Sequence, residues 1–338
     1  MGLTLKEIAK ELNVSPTTVS KALQNYPDIS EITKEKIKNY ARKVGYQPNK
    51  QAAYLRTRKT KLIGLIIPNI ENYFFFKVLK GMLQEANKNE YQLIICNSNE
   101  SEDLEKKLVD DLINQKVDGI FISLAKDTIN FDHLNKVLNS ESSLILFDRT
   151  SRLVNCSKVV IDDEKMGFIA TQNLIDKGCK KIGNLRGTLI PQNSIDRFSG
   201  YRNALEKNNF KFDTNLVAIS KKSTVKDGYK LTKELFKKEL ELDGLVCFSD
   251  PLAIGAVKFC KENGIGIPSE IRVSGFGNIE SASVITPPIT SIDQEAFEMG
   301  VKTMELFLKE QLDLKQKINV SFKTIILKTK LIERESTA

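Results

Sequence analysis

The side chains that could act on a substrate are few and scattered. His133 is the only histidine of the chain, so a Ser-His-Asp, Cys-His or multi-His metal site would have to be assembled around one residue. Its setting, INFDHLNKVL, reads as a helix start, where a solvated histidine is expected. Cys96, Cys156, Cys179, Cys247 and Cys260 stand far apart with no CxxC pair. That pattern fits neither a disulfide framework nor a zinc site, and the five are expected to be small core residues. There is no GxxxxGK[ST] phosphate loop. Gly264-Ile265-Gly266 and Gly275-Phe276-Gly277 lack the third glycine of a dinucleotide fingerprint. No catalytic residue, metal or cofactor is assigned. A different chemistry stands near the start, where Ser15 and Pro16 open a helix with Thr17, Thr18, Ser20, Lys21 and Gln24 on its outer side. Small polar groups so placed can approach phosphates and base edges, whereas a purely solvating helix would more often carry Glu and Lys.

The charge points the same way. The chain has a formal net charge of +8 over 338 residues. Residues 1–60 hold 12 Lys and Arg against 5 Asp and Glu, which leaves a net of only +1 for residues 61–338. A basic segment on a neutral body is the footprint of a polyanion, most often nucleic acid; the other reading is a basic solvated tail, and the residue pattern decides between them. With 41% hydrophobic residues the chain can bury a large core, in two or three compact units. No apolar run approaches the roughly 18 residues that would span a bilayer. The opening MGLTLKEIAKELNV has no greasy stretch ahead of a cleavage site, so a cytoplasmic protein is expected.

The polar side chains of residues 15–24 need a scaffold, and the flanking residues supply one. Thr4-Leu5-Lys6-Glu7 has capping-box form, and Leu5, Ile8, Ala9 and Leu12 follow at helical spacing. Ser15 is a good N-cap and Pro16 a good first helical residue for a second helix, with Val19, Ala22 and Leu23 inward. After a loop with Pro27, Ser30 caps a third helix whose Ile32, Ile37, Tyr40, Ala41 and Val44 close a miniature core. This is a helix-turn-helix pattern. Pro48 and Asn49 interrupt it, and residues 50–55 can form only a turn or two of helix, marginal in isolation. Such a segment would order on a partner; a flexible linker is the other reading.

LTLKEIAKELNVSPTTVSKALQ, followed by GYQPN and AAYLRT, resembles the LacI family of bacterial repressors. The resemblance implies that the second helix enters the major groove of an operator and that a short hinge helix orders on DNA, wedging a leucine, here Leu55, into the minor groove. It places Pro16, Thr17 and Lys21 at base-reading positions and Thr4, Ser20 and Asn25 at phosphate-contacting ones, with Ser15 and Thr18 beside them. Asn49, Ala52 and Ala53 fit the hinge, where small side chains let the two helices of a dimer approach. Arg56, Arg58, Lys59 and Lys61 would lie near phosphates. Lys21 is a departure: many members carry Arg there, which forks onto O6 and N7 of a guanine, while Lys offers a point charge. Pro16 makes no hydrogen bond to a base, though it can pack on a thymine methyl.

From residue 61 onward short apolar runs alternate with helical patterns, from LIGLIIP and FFKVLKGMLQEANK to AIGAVKFCKEN and IRVSGFG. Such βα repetition predicts an α/β body of parallel sheets covered by helices. Ligands of such sheets sit beyond the carboxyl ends of the strands, which here carry Pro68-Asn69, Asn97-Ser98, Ser123, Asp148-Arg149, Asp162-Asp163 and Ser249-Asp250. The family resemblance extends over this region through VDGIFI, RFSGY and LIERES. It implies a periplasmic-binding-protein-like body of two sub-domains joined by three crossovers, a small effector in the cleft, and a homodimer. The expected division is residues 1–47 helix-turn-helix, 48–60 hinge, and 61–338 effector and dimerisation domain. Within the body, 61–157 with 290–317 would form one sub-domain and 158–289 with 318–338 the other. The cleft residues it implies are Tyr73 or Phe74 as an aromatic shelf, with Asp148, Arg149, Asn193, Arg197, Ser249 and Asp250. The only nearby anions expected for Arg197 are Asp196 and Asp148. Ser249 stands where many members have Asn, and Gly277-Asn278 where many supply a carboxylate for sugar hydroxyls. A carbohydrate is the leading effector class, because the lining is polar around one aromatic shelf.

The expected function is thus a sequence-specific transcriptional regulator, a repressor under small-molecule control. A transport-type solute-binding protein shares the body's fold, but it would need an export signal and no helix-turn-helix. An α/β enzyme lacks an acid-base pair beyond scattered carboxylates, and fold analogy alone establishes no catalysis.

Overall fold

The computed structural model describes residues 4–46, 59–238 and 241–338. The chain divides into two compact units, Met1–Thr60 and Lys61–Ala338.

The first unit is three short helices: α1 (Leu5–Glu11), α2 (Pro16–Leu23) and α3 (Glu31–Lys43). Each begins on a side-chain cap. Thr4 and Glu7 form a reciprocal capping box, and Ser15 and Ser30 accept from the backbone N–H three residues on, satisfying donors that a helix start otherwise leaves orphaned. Ile8, Ala9, Val19, Ala22, Ile37 and Ala41 meet in a buried core, with Leu5, Leu12, Leu23 and Tyr40 packed around it. Ile32, expected in that core, is 83% exposed. It lies in the first turn of α3, and the inward stripe passes instead through Lys34, Ile37 and Ala41.

The second unit holds two six-stranded sheets. The first has the order β11-β5-β4-β3-β1-β2, all parallel, built from β1 (Leu62–Ile67), β2 (Gln92–Asn97), β3 (Gly119–Ile122), β4 (Ser143–Phe147), β5 (Ser157–Ile161) and β11 (Thr324–Leu327). The second has the order β12-β10-β9-β8-β6-β7, from β6 (Ile182–Arg186), β7 (Val217–Ile219), β8 (Gly244–Cys247), β9 (Arg272–Phe276), β10 (Thr290–Asp293) and β12 (Lys330–Ile332); only its β10–β12 pair is antiparallel. Helices α4 (Tyr73–Lys88), α5 (Glu102–Asn114), α6 (Asp132–Leu138) and α12 (Ala296–Lys315) belong to the first lobe. Helices α7 (Asp163–Asp176), α8 (Gln192–Lys207), α9 (Val225–Phe236), α10 (Asp250–Glu262) and α11 (Glu280–Val284) belong to the second. No helix among the described residues is long and apolar enough to cross a membrane.

The chain passes between the lobes three times, and each passage lies a few residues later than expected. β5 pairs with β4, so the first falls after Ile161 and not near Ser157. β10 pairs with β9 in the second lobe, which moves the next past Thr290 to Gln294 and Glu295. β11 pairs with β5, so the last follows Leu327 and not Ile318. The apolar runs at these points would serve either sheet; pairing register, absent from local sequence, assigns them.

Helix pairs in both lobes cross at glycines. A Cβ on Gly200 of α8 would fall 2.0 Å from the Glu164 carbonyl of α7, and the contact is reciprocated by Gly167 against the Arg197 carbonyl. This close approach positions the first residue of α7 against the second turn of α8. His133 departs from expectation: it is buried, with Nε2 2.9 Å from Glu105 Oε1, and that carboxylate also accepts from Ala125 N and Thr128 Oγ1. A buried acceptor with three donors pins the loop after β3, which a solvated ring would not do. Four of the cysteines are buried and Cys96 is half-buried.

Candidate functional site

In the helical unit, α2 presents Pro16 and Thr17 exposed, with Thr18, Ser20 and Lys21 partly so. The side chains around them are already engaged. Ser15 Oγ caps Thr18 N at 3.0 Å and meets Thr18 Oγ1 at 2.8 Å, so both hydroxyls hold the helix start. Thr4 is likewise the α1 cap. Lys21 Nζ pairs with Asp28, and Asn25, in the left-handed region at φ 58°, accepts from Lys38. The ion pair holds the Asp28 carboxyl below its usual range, chiefly through the hydrogen bond from Lys21. The face is therefore a shallow polar surface of Pro16, Thr17 and Ser20, with Lys21 held at its edge. Asn49, Ala52, Ala53, Leu55 and Arg56 lie outside the described residues.

In the body, a cavity of about 600 Å³ opens between the lobes, a volume suited to a small ligand. The strand ends build it. From the first lobe come Asn69 after β1, Tyr73 and Phe74 at the head of α4, Glu100 after β2, Lys126 after β3, and Asp148 and Arg149 after β4. From the second come Asn193 and Arg197 of α8, Lys221 and Lys222 after β7, and Phe248 and Ser249 after β8. Seven of the eight expected ligand residues line this space. Tyr73 stacks on Phe76 at 6.0 Å, while Phe74 is mostly core, edge-on to Phe75.

The electrostatics are set by burial and pairing. Asp148 turns the chain at φ 55° and is buried, with Ser123 Oγ and Asn193 Nδ2 each 3.4 Å from its carboxylate. Burial pushes its pKa up, against the pull of Arg149 and Arg197. Arg149 donates to Glu100 Oε2 at 2.6 Å. Arg197, 7% exposed, donates through Nε to Asp163 Oδ1 at 2.7 Å and through Nη1 to the Phe248 carbonyl at 2.9 Å, and its guanidinium lies 3.6 Å from the Phe276 ring centroid. Its anion is thus Asp163, not Asp196 or Asp148. Burial drives the Asp163 pKa up to about 7, with Arg197 opposing. Asp196 instead pairs with Arg152 at 3.0 Å, across the lobes. Two cavity-lining residues each carry a buried polar atom that has no hydrogen-bond partner among the described residues: Asn193 Oδ1 and Ser249 Oγ. Such atoms are costly unless something supplies the missing bond.

Asp250 does not belong to the cleft. It is fully buried, accepting from Ser291 Oγ at 2.6 Å and Ile279 N at 2.9 Å, so it ties the start of α10 to β10 and to the segment after β9. Asn278 is also occupied, donating to Asp293 at 2.9 Å and accepting from Arg334 at 2.6 Å. Lys126, Phe248, Lys221 and Lys222 were not singled out from sequence. Their position at strand ends was the available signal, diluted by the many polar residues that merely cap the next helix. No group of three His, Cys, Asp or Glu among the described residues could hold a metal.

Comparison with known proteins adds the context of relatives. Residues 60–326 match the model described as periplasmic binding proteins and sugar binding domain of LacI family, and residues 4–49 match that of bacterial regulatory proteins, lacI family. The HTH-type transcriptional regulator RegA of Clostridium saccharobutylicum is 30% identical over 338 residues, covering all of both chains. Catabolite control protein A of Priestia megaterium is 27% identical over 91% of this chain and 92% of its own. Among solved structures, the Lac repressor dimer bound to operator and the anti-inducer ONPF aligns with a TM-score of 0.87 at 20% identity, over 100% of this chain and 99% of that one. A transcriptional regulator CelR–cellobiose complex aligns at 0.74 with 24% identity, over 99% of each chain.

Proposed function

The chain belongs to the LacI family of bacterial regulatory proteins, and from that premise we propose that it is a cytoplasmic, homodimeric transcriptional repressor whose grip on an operator is set by a small hydroxylated effector in the inter-lobe cleft. The α2 face reads the operator: Thr17 and Lys21 reach base edges, Pro16 packs on a thymine methyl, and Thr4, Ser20 and Asn25 approach phosphates. Asn49, Ala52, Ala53, Leu55 and Arg56 act as the hinge that orders on DNA. The observation that carries the reading is the presence, in one chain, of a capped helix-turn-helix and a separate two-lobed body with unpartnered Asn193 and Ser249 atoms in its cleft. The match of residues 60–326 to a sugar binding domain and the cellobiose in the CelR complex support a carbohydrate as the effector. Exposed Ile95 and Ile219 on the edge strands β2 and β7, with Phe76 on α4, are surfaces that a dimer would cover. The protein does its work by binding, and no catalytic step is assigned to it.

A fragment of residues 61–338 should stay folded and dimeric but lose operator affinity, and the log affinity of the full chain should fall linearly with log salt. Operator binding retained by that fragment overturns the reading. Leu55→Ala should weaken specific binding by up to a few kcal/mol and leave non-specific binding nearly unchanged.

A further inference from the structure

We infer that the effector carries a phosphate monoester, and that Lys126, Lys221 and Lys222 form the cation cluster that receives it; this rests on the cleft being the effector site. The three lysines come from opposite lobes, Lys126 from the loop after β3 and the other two from the segment between β7 and α9. Lys126 Nζ lies 3.5 Å from the Lys221 carbonyl, so the two sides meet at one edge of the cavity. Among the described residues none of the three ammonium groups has a carboxylate partner within ion-pair distance. Two acids that bond the backbone of these segments are engaged by other donors, and Glu71 also lines the cavity. Glu100 takes Arg149 at 2.6 Å and the Lys126 backbone N–H at 3.0 Å. Asp227 takes Ser220 Oγ and the Lys222 backbone N–H, both at 2.8 Å.

The two arginines of the cleft are committed as well. Arg149 is held by Glu100, and Arg197 by Asp163 and the Phe248 carbonyl. Both arginines spend donors on internal partners, whereas the three lysines bring point charges to the cavity edge, a charge type that binds phosphate oxygens. The three lysines reach the cavity from both lobes, so a dianion held between them would draw the lobes together. Asn193 and Ser249, which line the same cavity, then lie beside the rest of the molecule.

The test uses the full chain and the variant Lys126→Gln/Lys221→Gln/Lys222→Gln. Inorganic phosphate, against chloride at equal ionic strength, should raise the wild-type melting temperature by about 3 °C more than that of the variant. The basic helical unit contributes equally to both proteins, so the difference isolates the cleft. Equal shifts in the two proteins overturn the inference. Matched pairs of neutral and phosphorylated hexoses and pentoses form the second arm. The phosphorylated member should bind at least about tenfold more tightly, and the preference should collapse in the variant. A neutral sugar that binds equally well, with affinity unchanged in the lysine variant, overturns the anion site and leaves the cleft reading standing. A phosphate-sugar shift that is undiminished in both the lysine variant and Asn193→Leu places the molecule outside the cleft and overturns both.

Discussion

Arg197 and Asp163 lie 34 residues apart in sequence and 2.7 Å apart in space, the arginine on the second turn of α8 and the carboxylate on the first residue of α7. Arg197 lines the cleft, and its guanidinium lies 3.6 and 4.6 Å from the ring centroids of Phe276 and Phe248. Arg197 is thus both a wall of the site and a structural partner. Arg197→Lys keeps the charge but loses the fork and the stacking. It should lower stability, because an ammonium cannot make both the Asp163 and Phe248 bonds in the arginine's geometry or stack on the rings, and also blunt effector-dependent operator release. Unfolding and release measured on the same variant separate the roles: lost stability with intact release would confine Arg197 to structure.

The pH dependence follows from Asp163. Its folded pKa, about 7, lies above the ordinary carboxylate value because burial disfavours the anion. Between roughly pH 4 and 7 the folded state holds a proton that the unfolded state has released, so stability falls as pH rises through that window and levels off above it. Asp163→Asn removes the titration. The wild type's melting temperature should fall relative to that of this variant as pH is raised from 5 to 8; a constant difference would show that Asp163 stays ionised throughout.

Asp250→Ala should act on the fold and not on the ligand. It leaves the Ser291 hydroxyl and the Ile279 N–H buried without an acceptor, a cost of about 2–4 kcal/mol for two such groups. Chemical unfolding would read this loss. Effector affinity, measured calorimetrically well below the melting temperature, should change by less than about threefold.

Lys21 must exchange Asp28 for DNA if it reads the operator. Asp28→Ala frees it at almost no cost in stability, since exposed pairs contribute less than about 1 kcal/mol. Operator affinity should rise. Lys21→Ala should weaken binding, and the slope of log affinity against log salt should fall by about 1 if Lys21 meets a phosphate. Opposite signs for the two variants in a fluorescence-anisotropy titration are the expected result.

At Gly200 the approach of α8 to α7 leaves no room for a methyl group, because the Glu164 carbonyl would stand 2.0 Å from it. Gly200→Ala should cost about 1–3 kcal/mol through backbone displacement. It should also disturb Arg197, one turn earlier on the same helix, so that urea unfolding and effector affinity worsen together.

Much of this protein is written in contiguous residues. Thr4 with Glu7, Ser15 with Pro16, and Ser30 announce three helices, since a cap acts within one turn and needs no distant partner. The alternation of apolar runs with helical stripes announces the parallel sheets, and the strand-end positions of Asp148, Arg149 and Ser249 place them at the cleft for the same local reason. What the chain does with side chains far apart was decided by tertiary structure. Asp250 and Asp163 both follow a strand with a polar pair, yet one is buried under Ser291 and Ile279 and the other holds Arg197. The runs TSID and TIIL carry the same strand signal whichever lobe receives them, so the crossovers depend on register with β9 and β5. His133 looked solvated because a helix start tolerates exposure; Glu105, on another helix, drew it inside. Short-range preferences come from backbone sterics and capping, whereas burial and pairing depend on which surfaces meet after the chain has crossed between lobes.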